Sequence, residues 1–327
     1  MLRYLFRRTL GWLAMIFLAT NLTYFLATIF LNPRSNYAGR NPPVAESVAD
    51  TALSQYNLND KTPLVERWWT WFTGVITRWD WGKSPVGESV NDQVSFRIWN
   101  SAELLLGATI LMTLIGIGLA VWTASRQYSA TDRTVQFTST ITMNLPIVVA
   151  GLGIVLLAIW LNQTVGTRIF FVTGSRSDGV SGFGPVFVDV LQHLTLPTIT
   201  LVLTGYAGTY FMQRSLLLDN INADYVRTAR AKGLTRQQAV RKHALRTSLI
   251  PVVTSVAFSI PGMFTGAVLT ETVFQWEGMG RYFITTIAKN DIHGVVAIAA
   301  FGALMTAIGA ILADIAVVAI DPRVRVS

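Results

Sequence analysis

The sequence predicts an all-α integral membrane protein with six transmembrane helices and a long extracytoplasmic segment between the first and second. Three observations carry that prediction. Hydrophobic residues make up 51% of the 327 and charged residues only 13%, with a mean hydropathy of +0.44, a balance too apolar for an ordinary soluble domain. Six stretches reach the length of about 20 mostly apolar residues that crossing hydrocarbon requires. Lys and Arg are also distributed unequally between alternate connections. The absence of cysteine excludes disulfides, thiolate metal sites and Cys nucleophiles.

The first apolar stretch, Thr9 to Leu31, follows Arg3, Arg7 and Arg8. It exceeds the roughly 7–15 residues of a signal-peptide core and no small-x-small cleavage site closes it, so it reads as a retained helix. Asn32-Pro33 and Pro42-Pro43 end it and open an outer segment, 32–98. There Ala45 to Leu58 predicts a short amphipathic helix, and Trp68, Trp69, Trp71, Trp79 and Trp81 suit the headgroup level, as an interfacial belt or as a lip over an entrance. The next spans are Ala102 to Ala124 and Val135 to Leu161. Asp178 to Phe187, with Gly179, Gly182, Gly184 and Pro185, predicts an irregular loop. The fourth span, Leu194 to Met212, contains Pro197, which should break or kink it. A polar loop, 214–250, precedes the last two spans, Ile250 to Phe274 and Val295 to Ile320. The chain thus divides into an N-terminal helix, 1–31, the outer segment and a five-helix core, 99–327.

With the N-terminus inside, the inner segments hold fifteen Lys and Arg against four Asp, while the outer segments balance eleven against eleven. That bias places both termini in the cytoplasm. It also accounts for the net charge of +8 without nucleic acid as a partner.

Few motifs carry chemistry. Gly82-Lys83-Ser84 imitates the end of a phosphate-binding loop, but Thr77 stands where the pattern needs glycine. His193, His243 and His293 lie on separate segments without metal-ligand spacing, and no Gly-x-Ser-x-Gly elbow occurs. No catalytic, cofactor-binding or metal-binding residue is therefore expected. Glu271, late in the fifth span, is a candidate pathway or gate residue, because an ionisable group there must be paired or wet. Gly262 and Gly266 have the small-xxx-small spacing that lets helices approach closely, and join it as candidates.

The most distinctive stretch is Asp224 to Pro251, a basic, helix-favouring segment between two apolar spans. Ala229, Ala231 and Gly233 present little bulk, so a short helix ending near Gly233 can enter a groove on another protein. A lipid-bound amphipathic helix would need a larger apolar face than Tyr225, Val226 and Leu234 provide. Asp224, Tyr225, Arg227, Thr228, Ala229, Arg230, Lys232, Gly233 and His243 are the candidate docking residues. Bulk at Gly233 is expected to block docking without preventing membrane insertion.

Arg227-Thr228-Ala229 with Gly233, then His243-Ala244-Leu245 and Leu249-Ile250-Pro251, resembles the cytoplasmic "EAA" loop of ABC importer permeases, in the form of the oligopeptide/dipeptide/nickel group. Leu58 to Pro63, Trp79 to Ser84, Glu271-Thr272-Val273-Phe274 with Gly278-Met279-Gly280, and the tail Asp321 to Arg325 resemble the first, B-type permease of oligopeptide systems. Arg227 stands where the general pattern has glutamate, Glu277 replaces a proline and Asn57 a glycine. The resemblance implies a type I importer permease in the plasma (inner) membrane, transporting oligopeptides or dipeptides, with nickel or another small solute as the alternative. It implies a paralogous permease subunit, two cytoplasmic ATPase subunits or domains that bind ATP and Mg, and an extracytoplasmic substrate-binding protein. The Tyr225 to Gly233 helix would be the coupling helix. A secondary transporter or membrane scaffold is the competing class, but the chain shows no inverted repeats and lacks several intramembrane carboxylates.

Overall fold

The computed structural model describes residues 2–38, 44–265 and 267–320, with side chains except at 2–7, 236, 237, 257, 258, 260–265 and 312–320. Pro42-Pro43, Gly266 and the Asp321–Arg325 tail lie outside it. Every regular element among the described residues is helical, and five helices are long and apolar enough to cross a membrane.

Helix α1 (Leu2–Phe30) ends where Asn32 caps a 3-10 turn at Pro33–Asn36. Helices α2 (Glu46–Gln55) and α3 (Leu64–Arg78) follow, and α4 (Val90–Ala124) carries the chain to the opposite end of the bundle. Ser89 caps α4 by accepting from the Asp92 N–H, so this helix starts twelve residues before its apolar run. The stretch 135–161, expected as one span, is two helices, α5 (Ala130–Met143) and α6 (Ile147–Val165). Pro146 cannot donate to an α-helical ladder and biases Leu145 away from helical dihedrals, which is the physical reason for the break.

Helix α7 (Phe183–Ile221) is longer than the predicted span at both ends. Its first turn absorbs Gly184 and Pro185 from the expected loop, since Pro at a helix start loses only an orphan N–H. It also continues unbroken through Pro197. At the far end lie α8 (Asp224–Ala231), α9 (Arg236–Ala239) and a π-helical turn, Val240–Ala244, leading into α10 (Leu245–Thr265). The chain closes with the short α11 (Val268–Val273) and α12 (Met279–Ala288), then α13 (Ile292–Ile320). The predicted span 250–274 is thus divided between α10 and α11.

Two ends result. The loop end gathers 125–133 and 214–245; the cap end gathers 31–38, 44–89, 166–182 and 268–291. The bundle between them is organised on α4 and α7, which share its most extensive contact. A Cβ at Gly116 would stand 2.9 Å from the Tyr206 carbonyl oxygen and 2.8 Å from Thr209 Cβ, so glycine there sets how closely the two backbones approach. At the cap end, Tyr24 and Ala27 of α1, Leu53, Leu58, Trp71 and Val75 of 32–89, and Ile292 and Val296 of α13 form one buried cluster. The stretch after α1 therefore shares a core with the bundle. His293 fixes its last loop, Nδ1 lying 2.9 Å from the Lys83 carbonyl.

Candidate functional site

The loop end is built downward from α7. Leu217 and Ile221 are buried where α7 ends, and the chain turns through Asn222 and Ala223 into α8. No side chain caps α8; the Ala223 carbonyl accepts from the N–H groups of Val226 (3.0 Å) and Arg227 (3.2 Å). Asp224 in the first turn supplies the negative charge a helix N-terminus favours. An isolated eight-residue helix falls below the roughly 12–15 residues at which helices become even marginally stable. Tertiary burial holds this one: Val226 and Ala229, three apart on one face, join Ala124, Leu217, Ile221, Ala239, Val240 and Ala244 in a shared core.

The end of α8 is a complete Schellman turn. Gly233 N–H donates to the Arg230 carbonyl (3.0 Å), Leu234 N–H to the Ala229 carbonyl (3.3 Å), and Leu234 packs back on the core that holds Ala229. Gly233 has φ of +93°, in the region that favours glycine. A Cβ there would meet nothing within 4 Å. Within this chain the requirement for glycine is a backbone requirement, and space around the residue is free.

Ala229 was expected to offer its small side chain to a partner; it is instead 7% exposed and turned into the chain's own core. Helical spacing leaves Tyr225, Thr228, Ala231 and Lys232 as a continuous exposed face. The Tyr225 hydroxyl donates to Asn220 Oδ1 and fastens that face to the end of α7. Asp224, Arg227 and Arg230 are also exposed. The Arg227–Asp224 pair, at 3.7 Å between groups 72% and 97% exposed, contributes little. His243 sits half-buried in the π turn, apart from this face.

Three ties hold the base of α8, and the two polar ones were not among the sequence candidates. Arg214 on α7 grips Asp132 on α5 with two charge-assisted bonds, Nε to Oδ1 at 3.1 Å and Nη2 to Oδ2 at 2.9 Å. Burial alone would raise the Asp132 pKa, but Arg214 and the Tyr128 N–H outweigh it and hold the carboxyl below its ordinary range. Gln213 Nε2 donates to Ser248 Oγ at 2.8 Å inside the core, joining α7 to α10. The third tie is the α8 core itself. Ser129-x-x-Asp132 was legible as a helix-start signal; its Arg214 partner, 82 residues away, was not.

Glu271 occupies the cap end. It is fully buried; Ser101 Oγ donates to Oε1 at 2.7 Å and the Arg281 N–H to Oε2 at 3.0 Å. Ser101 Oγ in turn accepts from the Met279 N–H at 2.8 Å. The carboxylate thus caps the N-terminus of α12 and ties it to α4, where the sequence had offered a pathway or gate residue. Trp276 and Asn100 complete the tie, with Trp276 Nε1 donating to the Asn100 carbonyl and Asn100 Nδ2 to that of Glu277. Gly262 falls where the side chains of α10 are outside the described residues, so the Gly262–Gly266 pair has no structural account.

The model for the family described as "Binding-protein-dependent transport system inner membrane component" matches residues 116–326, which include the loop end, α10 and α11. The oligopeptide transport system permease protein OppB of Mycobacterium tuberculosis is 37% identical over 328 residues, covering 100% of both chains. AppB of Bacillus subtilis, also an oligopeptide transport system permease protein, is 32% identical over 289 residues, 87% of each chain. The dipeptide transport system permease protein DppB of Escherichia coli is 32% identical over 242 residues, 70% of this chain and 71% of its own.

Proposed function

Because the chain belongs to the family of binding-protein-dependent transport system inner membrane components, we propose that its loop end is the contact through which cytoplasmic ATPase subunits drive it. The chain is a membrane permease subunit of a peptide importer. In the proposed assembly it pairs with a paralogous permease, receives peptide from an extracytoplasmic binding protein and performs no catalysis of its own. ATP and Mg are bound by the ATPases. Both termini and the loop end face the cytoplasm of a cell bounded by an inner (plasma) membrane, a reading supported by the excess of Lys and Arg in those segments.

The observation that carries the proposal is the division of α8 into a fastened and a free face. Val226 and Ala229 lock it to α4, α7, α9 and the π turn that leads into α10, while Thr228, Ala231 and Lys232 stand outward beside the tethered Tyr225. A helix held in this way transmits a push as a rigid-body displacement of the elements it is fastened to. ATPase closure acting on the free face would therefore move α7 and α10 together.

The substrate class is tested on the purified assembly in lipid vesicles by ATP hydrolysis against peptides of graded length and against nickel. Stimulation by di- to oligopeptides is expected. Stimulation by the metal alone would overturn the peptide reading.

A further inference from the structure

Helix α3 has an apolar face that nothing among the described residues covers: Val65, Trp69 and Ile76 are 69%, 57% and 68% exposed, and their spacing aligns them along one side. Its opposite side packs on α1 at a definite level. Trp68 Nε1 donates to Asn21 Oδ1 at 2.7 Å, Trp71 stacks on Tyr24 at 4.7 Å, and Phe72 meets Phe17 edge-on at 5.9 Å. Arg7 and Arg8 form the charged edge of α1, and its apolar length follows from Thr9. From that charged edge, about 30 Å of hydrocarbon at 1.5 Å per residue extends for about 20 residues, to near Thr28. Residues 17–25 therefore lie within the hydrocarbon, and so does the helix packed against them.

We propose that α3 is embedded in the leaflet at the Phe30 end of α1, its Val65–Trp69–Ile76 face covered by acyl chains. Several polar groups on and beside it are satisfied without water. Asn21 is spent at both ends, Nδ2 donating to the Phe17 carbonyl and Oδ1 accepting from Trp68. The Thr73 and Thr77 hydroxyls donate back to the carbonyls of Trp69 and Thr73, which satisfies them without water. The two exposed charges, Glu66 and Arg78, stand at the helix ends. The exposed face also continues the apolar surface of α1, where Leu18 and Leu22 are 65% and 61% exposed. At 15 residues α3 is too short to cross. It is a lateral anchor, and the stretch 44–89 is a cap pinned into the membrane.

The cysteine-free chain permits a direct test. Single variants Val65→Cys, Trp69→Cys and Ile76→Cys carry a nitroxide in the assembled transporter, in phosphatidylethanolamine/phosphatidylglycerol vesicles. Relaxation by oxygen is compared with relaxation by a water-soluble nickel chelate, with Leu22→Cys and Lys61→Cys as references. All three positions should favour oxygen as Leu22→Cys does, with the opposite sign at Lys61→Cys. Preference for nickel at these positions would overturn the proposal in favour of water. Immobilised labels shielded from both relaxants would overturn it in favour of a protein neighbour. If Trp69→Cys fails to assemble, the two aliphatic positions decide.

Discussion

Gly233 separates a backbone requirement from a shape requirement. Because its φ is +93° and its surroundings are open, Gly233→Val should strain the turn, destabilise the α8 end by at least about 1 kcal/mol and lower peptide uptake. Gly233→Asn, which tolerates the left-handed region better, should recover much of the uptake although it is also larger than glycine. Equal loss in both variants would point to the shape of the docking surface. Two buried carboxylates give opposite pH signatures. Asp132 is held below its ordinary pKa, so its contribution is complete at neutral pH and is lost only as pH falls through that depressed value, below about 4. Asp291, 2% exposed and accepting from the Gly294 N–H, is pushed up to about 6 by burial. Between pH 4 and 6 the unfolded chain has lost this proton and the folded chain keeps it, so stability declines as pH rises through that window. Melting temperatures of the native protein and Asp291→Asn across pH 4–7 should diverge in favour of the variant up to pH 6 and then run parallel.

At the scale of elements, Glu271 behaves as a cap. Glu271→Gln turns an acceptor into a donor opposite donors already in place, and should cost about 1–3 kcal/mol, read as a lower melting temperature. Transport per folded molecule should stay near normal, whereas a gate residue would change turnover at unchanged stability. At the α4–α7 crossing, Gly116→Val should destabilise by about 1–3 kcal/mol, because the backbones must separate to admit it. The long apolar helices were legible from hydropathy alone. The Pro146 break was not, because averaging over 135–161 hides one interruption inside an apolar run. Helix α3 did have a signal, Trp68, Trp71, Phe72 and Val75 at helical spacing, which its tryptophan content masked as a belt. The inward turn of Ala229 was likewise encoded by its three-residue spacing from Val226. The Ser101–Glu271 tie, 170 residues apart, has no local signal.

Across the whole molecule the two ends have different characters. The cap end is tied by aromatic packing and buried polar bonds among α1, α3, α4, α12 and α13, while the loop end concentrates basic charge around a small, firmly seated helix. Composition and charge asymmetry conveyed this polarity of the molecule from the sequence; which faces are fastened and which are free required the fold. The central claim is that α8 is a lever whose seated face belongs to this chain and whose free face belongs to its ATPase. The most direct test is peptide-stimulated ATP hydrolysis by the assembled importer carrying Thr228→Glu and Ala231→Glu, both on the exposed face. Membrane insertion and melting temperature of that complex should be unchanged, while its ATP hydrolysis should no longer respond to peptide. Full stimulation in that variant would contradict it.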